Sequence, residues 1–379
     1  MTAADVPIPF FNLESMHQAI RAEALEALAA VYDSNWYVLG EQLRQFEQAY
    51  AAWQGARHTI GVASGLDALH IALKALGIAR GQEVIVPSNT YIATWLAVSS
   101  VGATIVPAEP DPHTWNLDPA AVEAAITPRT AAVLPVHLFG QACRMDALMA
   151  LARRNGLMVV EDNAQAHGAR CKGQLTGSFG QVNATSFYPT KNLGALGDAG
   201  ALTTDSDSYA DFARSYRNYG SAVKYRNEYR GINSRLDEMQ AALLSVKLRR
   251  LDAWNQQRAQ LAERYLNNLN GLPQIELPRV ATGCTHVWHL FVIQCTRRDA
   301  LQQYLSAAGI QALVHYPVAP HLQKAYETLH FRAGQFPVAE QLARNSLSLP
   351  LYPGMPLAHV DRVCAVIRRF CNNEIDETL

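Results

Sequence analysis

Three short stretches carry side chains whose types and spacing suit chemistry. In "SFYPTKNLGALGDAG", Ser186 to Gly200, one lysine, Lys191, lies between a proline-marked turn and three glycines. Such a lysine serves as a phosphate clamp, an imine-forming amine or a solvated charge. A buried lysine of lowered pKa suits Schiff-base chemistry. Ser186, five residues earlier, offers a hydroxyl to a phosphate. In "VVEDNAQAHGA" an apolar run ends in Glu161 and Asp162, with Gln165 following. A carboxylate at the carboxyl end of a buried strand needs a cation or a set of donors. A protonated pyridine nitrogen is one such cation; a helix N-cap is the plainer use. In "ASGLDALHIAL", Ser64 and Asp67 have capping-box spacing. The N–H groups around Ser64, Gly65 and Leu66 then face outward at a helix start, where a phosphate binds. A well-capped helix with no ligand has the same pattern.

Taken in order, the three stretches make a set. A phosphate-type helix start, Asp-x-x-Gln at a strand end and Ser-x4-Lys are the parts that a pyridoxal phosphate site requires. The lysine would bond the cofactor's aldehyde. The aspartate would keep the pyridine nitrogen protonated, so that the ring draws electrons.

These residues must be positioned by a scaffold, and the chain reads as α/β. "EVIVPS", "TIVPAE", "AAVLPVHLFG", "LMVVED" and "ATSFYPT" read as strands, several almost continuously apolar, as in a sheet covered on both faces. "MDALMALARRNG" has helical periodicity and stops at Gly156. Strands alternating with helices predict a large domain with a mostly parallel central sheet flanked by helices. One long helical pattern runs from Ser234 to Asn270. "VWHLFVIQC" and "QALVHYP" then read as strands and "DALQQYLSAAG" as a helix, giving a smaller C-terminal α+β domain. The expected division is 1–250 and 251–379. Open α/β sheets bind ligands outside the carboxyl ends of their strands, where these three stretches fall.

Composition narrows the classes. The chain has 379 residues, 49% hydrophobic and 17% charged, with a formal net charge of −1 and no long run of one sign. Nucleic acid or an anionic membrane is not the expected partner. "MTAADVPIPFF" lacks a basic region and a long apolar run, so no secretory signal is expected. The six cysteines have no C-x-x-C pair and no metal-type spacing. Reduced thiols in the cytoplasm are the expectation. "GVASGLDAL" lacks the G-x-G-x-x-G turn of a dinucleotide site, which counts against a dehydrogenase.

The sequence resembles the DegT/DnrJ/EryC1/StrS sugar aminotransferases, of pyridoxal phosphate fold type I. The resemblance runs from "NWYVLG" through "ASGLDAL", "VPSNTYIATW", "PVHLFG", "EDNAQAHGA", the Lys191 loop, "RNYGS" and "NSRLDEMQAALLSVKL" to "HYPVAPHLQKAY". It implies a homodimer with active sites at the subunit interface. L-glutamate would be the amino donor, with pyridoxamine phosphate between the two half-reactions. The nearest subgroup aminates C-3 of dTDP-linked 3-keto-6-deoxyhexoses. By position, Lys191 and Asp162 match the catalytic pair and Gln165 the group beside the ring's 3-hydroxyl. Tyr91 matches the stacking aromatic. Ser64, Gly65, Leu66 and Ser186 match phosphate contacts, and Asn233 a phosphate contact from the second subunit. Tyr188, Lys224, His315 and Tyr316 fall where that subgroup holds the nucleotide sugar. Lys224 also reads as a solvated charge, and His315 and Tyr316 as packing. Asn163 fills a slot that holds alanine or asparagine in the family. Relatives with histidine in place of the lysine are dehydratases, so Lys191 favours transamination. C-4 amination of a UDP- or dTDP-4-keto sugar is the nearest alternative. A cofactor-sensing regulator is a further one, for which no added basic DNA-binding segment is visible.

Overall fold

The structure is a computed structural model that describes residues 6–377, with side chains described through 372. Met1–Asp5, part of the N-terminal stretch read above, lie outside the described residues. The central sheet begins with four parallel strands in the order Thr104–Ala108, Glu83–Pro87, Thr130–Val133, Met158–Val159. Asp162 continues the last of these, bridging in parallel to Val136 on one side and Ala184 on the other. Ala184 belongs to the strand Asn183–Ser186, which pairs antiparallel with Gly200–Thr204, itself antiparallel to His58–Val62. Only Gly200–Thr204 therefore runs against the rest, and the sheet is mostly parallel.

Alternation of side chains across the pleat explains the two covered faces. Val84, Val86 and Ala132 join the core that includes Trp95 and Leu69, from the helices Ala93–Ser100 and Gly65–Ala75. Ile85, Val133 and Val159 join the opposite core, with Leu148 and Leu151 of the helix Met145–Asn155. That helix ends at Gly156 with φ 65°, a left-handed cap that glycine adopts without strain.

The helical stretch 234–270 is two helices, Glu238–Leu248 and Leu251–Leu269. No glycine or proline marks the break. The first helix packs on Glu41–Gln54 and Arg21–Ser34, the second on Leu357–Glu377. The two helices have different partners, and the chain bends between them. The strand expected in "QALVHYP" is reduced to a single bridge from Leu313 to Ser348. Beyond it the chain leaves the sheet, and His315 and Tyr316 turn to the cavity described below.

A second core lies around the antiparallel pair Phe291–Gln294 and Ser346–Leu349. Tyr265, Leu301, Leu305, Val360 and Ile367 fill it, and Ile8 joins from the N-terminal segment. Among the described residues no helix is long and apolar enough to cross a membrane.

Candidate active site

A cavity of about 750 Å³ opens where the loops leave the sheet. Thr90, Val136, Asp162 and Ser186 line it, each just beyond or at the end of a strand, and His289, Leu313, His315 and Leu351 close it from the C-terminal half. Of the sequence-predicted residues, Ser64, Gly65, Leu66, Tyr91, Asp162, Gln165, Ser186, Tyr188, Lys191, His315 and Tyr316 all line this one space. Asn233 and Lys224 do not.

Asp162 is 6% exposed. Its Oδ2 accepts from Thr94 Oγ1 at 3.0 Å and its Oδ1 from the Ala164 N–H at 3.1 Å. Burial pushes its pKa up, against those donors and the charge of Lys191. Burial pushes the Lys191 amine down to about 8, opposed by Asp162. An aspartate whose burial disfavours its charge calls for a further cation, and an amine near 8 is partly neutral at ordinary pH.

Gln165 is oriented from two sides. Its Oε1 accepts from the Phe139 N–H at 2.6 Å, and its Nε2 donates to the Tyr316 phenol at 3.0 Å. Phe139 holds φ 59°, an uncommon left-handed conformation for a bulky residue, and so presents its N–H to the amide. The Tyr316 ring lies 5.4 Å from that of Tyr91, tilted by 41°. His315 Nδ1 is 2.8 Å from Ser348 Oγ, and burial, with the charge of Lys191, pushes its pKa down to about 4. Its imidazole is therefore neutral, a group for hydrogen bonding rather than charge.

The helix start at Ser64 is built as expected in one half only. Ser64 Oγ accepts from the Asp67 N–H at 3.1 Å. The Asp67 carboxylate instead accepts from Ser234 Oγ at 2.7 Å, so the reciprocal half of the capping box is replaced by a tertiary bond. The first-turn N–H groups of Gly65 and Leu66 are of the kind that a helix leaves open. Gly65 sits so close to Ser186 that a Cβ would lie 2.6 Å from the serine's Cβ. This approach brings the helix start and the Ser186 hydroxyl together as one cradle.

Lys224 lies on the exposed hairpin Ser221–Val223/Arg226–Asn227, with Nζ 5.1 Å from the Tyr225 ring centroid. Asn233 is exposed, next to Ser234, whose hydroxyl also accepts from the Ala63 N–H at 3.1 Å. Sequence reasoning missed Thr94, Phe139 and His289. The first two touch the site through a short hydroxyl and a backbone N–H, neither of which leaves a motif. His289 lies in the bend just before the strand Phe291–Gln294, and a histidine beside an apolar run leaves no motif.

An α/β sheet with a lysine loop, a buried strand-end aspartate and a glycine-opened helix start is the framework of an aminotransferase. Residues 18–368 match the DegT/DnrJ/EryC1/StrS aminotransferase family, and the chain belongs to it. It is 51% identical, over 97% of each chain, to the dTDP-3-amino-3,4,6-trideoxy-alpha-D-glucose transaminase of Streptomyces venezuelae. It is 47% identical to the dTDP-3-amino-3,6-dideoxy-alpha-D-galactopyranose transaminase of Aneurinibacillus thermoaerophilus, over 96% of this chain and 99% of the other. Among solved structures it resembles S. venezuelae DesV in complex with a ketimine intermediate. The TM-score is 0.95 at 51% identity, covering 96% of this chain and 98% of that one.

Proposed function

We propose that this chain transfers the amino group of L-glutamate to C-3 of a dTDP-3-keto-6-deoxyhexose, releasing 2-oxoglutarate. The observation that carries the reading is the convergence of Lys191, Asp162, Gln165 and the Gly65–Ser186 cradle on one cavity. Support for C-3 comes from the two relatives above, both named for a 3-amino dTDP sugar.

The residues fit pyridoxal phosphate. Asp162, whose charge burial disfavours, suits a protonated ring nitrogen. The cradle of Ser64, Gly65, Leu66 and Ser186 suits the phosphate, Gln165 the ring hydroxyl, and Tyr91 a ring face. When bound, the cofactor supplies an aldehyde that takes up an amine and a ring that draws electrons from the adjacent carbon.

Lys191 would hold the cofactor, and its amine would serve as base and acid. Its pKa near 8 leaves Nζ able to take the proton from the donor's α-carbon and to return it on the other side of the transfer. The sugar half-reaction uses the same amine in reverse. Asp162 supports both halves by its charge. Tyr188, His315 and Tyr316 bind the nucleotide sugar; the neutral His315 offers a hydrogen bond.

The working unit is a homodimer in this reading, with Asn233 and Lys224 reaching the partner's site. Support lies in the exposure of both and in the exposed aromatics Tyr32, Trp36, Tyr37 and Tyr225. A cofactor domain, 1–250, and a smaller domain, 251–379, fit the separate second core. The six cysteines, with no C-x-x-C pair and no metal-type spacing, suit the cytoplasm.

The test is purified protein given glutamate alone. We expect one equivalent of 2-oxoglutarate per site, and borohydride beforehand should fix the cofactor to Lys191. An adduct on another lysine, or no 2-oxoglutarate, overturns the reading.

A further inference from the structure

Lys247, in the helix Glu238–Leu248, is only 1% exposed. Among the described residues its ammonium forms no ion pair. Nζ donates to the Gly194 carbonyl at 2.7 Å and lies 3.1 Å from His17 Nε2. Gly194 is three residues past Lys191, in a loop closed on itself. The Lys191 N–H donates to the Tyr188 carbonyl, and the Ala195 N–H to the Phe187 carbonyl, both at 2.8 Å. The turn is so tight that a Cβ on Gly194 would lie 2.3 Å from the Pro189 oxygen. Side chains hold this loop at three further points. Asn192 Nδ2 donates to the Val287 carbonyl at 3.0 Å and to Asn255 Oδ1 at 2.8 Å, and the Leu196 N–H donates to Gln240 Oε1 at 2.8 Å.

A buried cation without a counter-charge is a cost to the fold, and an apolar side chain of similar size avoids it. Beside its contact with His17, what the ammonium adds here is its bond to the loop carbonyl. We infer that Lys247 is a positioning residue for Lys191: it fixes the Gly194 carbonyl, and with it the turn that aims the Lys191 amine into the cavity. The inference rests on the role given to Lys191 above. Burial pushes Lys247 down to about 8, and burial with the Lys247 charge lowers His17. Both directions fit a site packed for geometry rather than for charge.

The test compares wild-type protein with Lys247→Met, each loaded with pyridoxal phosphate. We expect the variant to melt at or above the wild-type temperature. Cofactor attachment at Lys191, trapped by borohydride and read by mass spectrometry, should slow by about tenfold, as small misplacements do. kcat should fall in the same proportion for both half-reactions, because both use Lys191, while KM for glutamate and for the sugar stays near wild type. Lys247→Gln, whose amide is too short to span both partners, should behave alike. Attachment and kcat unchanged in both variants overturn the inference. Failure of both variants to fold overturns it too, since Lys247 is then a residue of the fold. No attachment at Lys191 even in wild type is a different pattern, and defeats the role of Lys191 instead.

Discussion

Gln165 and Tyr316 are joined by a 3.0 Å hydrogen bond across 151 residues of chain. Because Gln165 Oε1 is occupied by the Phe139 N–H, the amide presents Nε2 and the phenol oxygen accepts. The phenol hydrogen is then free to point into the cavity. One bond thus sets an amide and a phenol that both line the cavity. Tyr316→Phe leaves Nε2 without this partner. A lost hydrogen bond of about 1 kcal/mol should weaken cofactor binding about fivefold, read by absorbance titration. KM for the nucleotide sugar should rise as well. An unchanged cofactor Kd separates Gln165 from the cofactor.

Asp162→Asn keeps the shape and the Thr94 contact but removes the charge. The expected loss in kcat is about 3 kcal/mol or more, the scale of preorganised electrostatics at a reacting centre. Steady-state turnover at full cofactor occupancy is the measurement. Near-normal turnover makes Asp162 a cap for the following turn, consistent with its bond to the Ala164 N–H.

Lys191 sets a pH dependence. Burial lowers its pKa to about 8 against an ordinary 10.5. Only the neutral amine attacks an aldehyde, so attachment of the cofactor to stripped protein should accelerate as pH rises and level off above about 8. Stopped-flow absorbance between pH 6.5 and 9.5 gives the midpoint. A rate still climbing tenfold per pH unit at 9.5 shows an unperturbed lysine.

If Asn233 acts on the partner's cofactor, inactive Lys191→Ala and Asn233→Ala chains should rescue one another. A mixed dimer carries both lesions at one site and neither at the other. Activity should recover towards a quarter of wild type after random subunit exchange. Exchange demonstrated by mass spectrometry, with no recovered activity, assigns both residues to one chain's site.

Much of the site was legible because its chemistry is local in sequence. Ser64 and Asp67, Asp162 and Gln165, and Ser186 and Lys191 are each three to five residues apart. Each pair falls where an apolar strand gives way to a loop or helix, so strand patterning also placed them. Contacts between distant segments left no such mark. Thr94 reaches Asp162 across 68 residues, and Lys247 reaches Gly194 across 53. The break at Arg249–Arg250 was hidden for a related reason: helical periodicity continues through it, and the differing partners of the two helices lie in distant segments. The lost strand at "QALVHYP" is a local apolar pattern overruled by the turn of His315 and Tyr316 towards the cavity.

The most direct measurement of the central claim is the position of the new C–N bond. Purified protein is incubated with pyridoxal phosphate, L-glutamate and a dTDP-3-keto-6-deoxyhexose, with 4-keto dTDP and UDP sugars in parallel, and the products are assigned by NMR. The account predicts nitrogen at C-3 of the dTDP sugar. Nitrogen at C-4, with the 3-keto substrate returned unchanged, contradicts it.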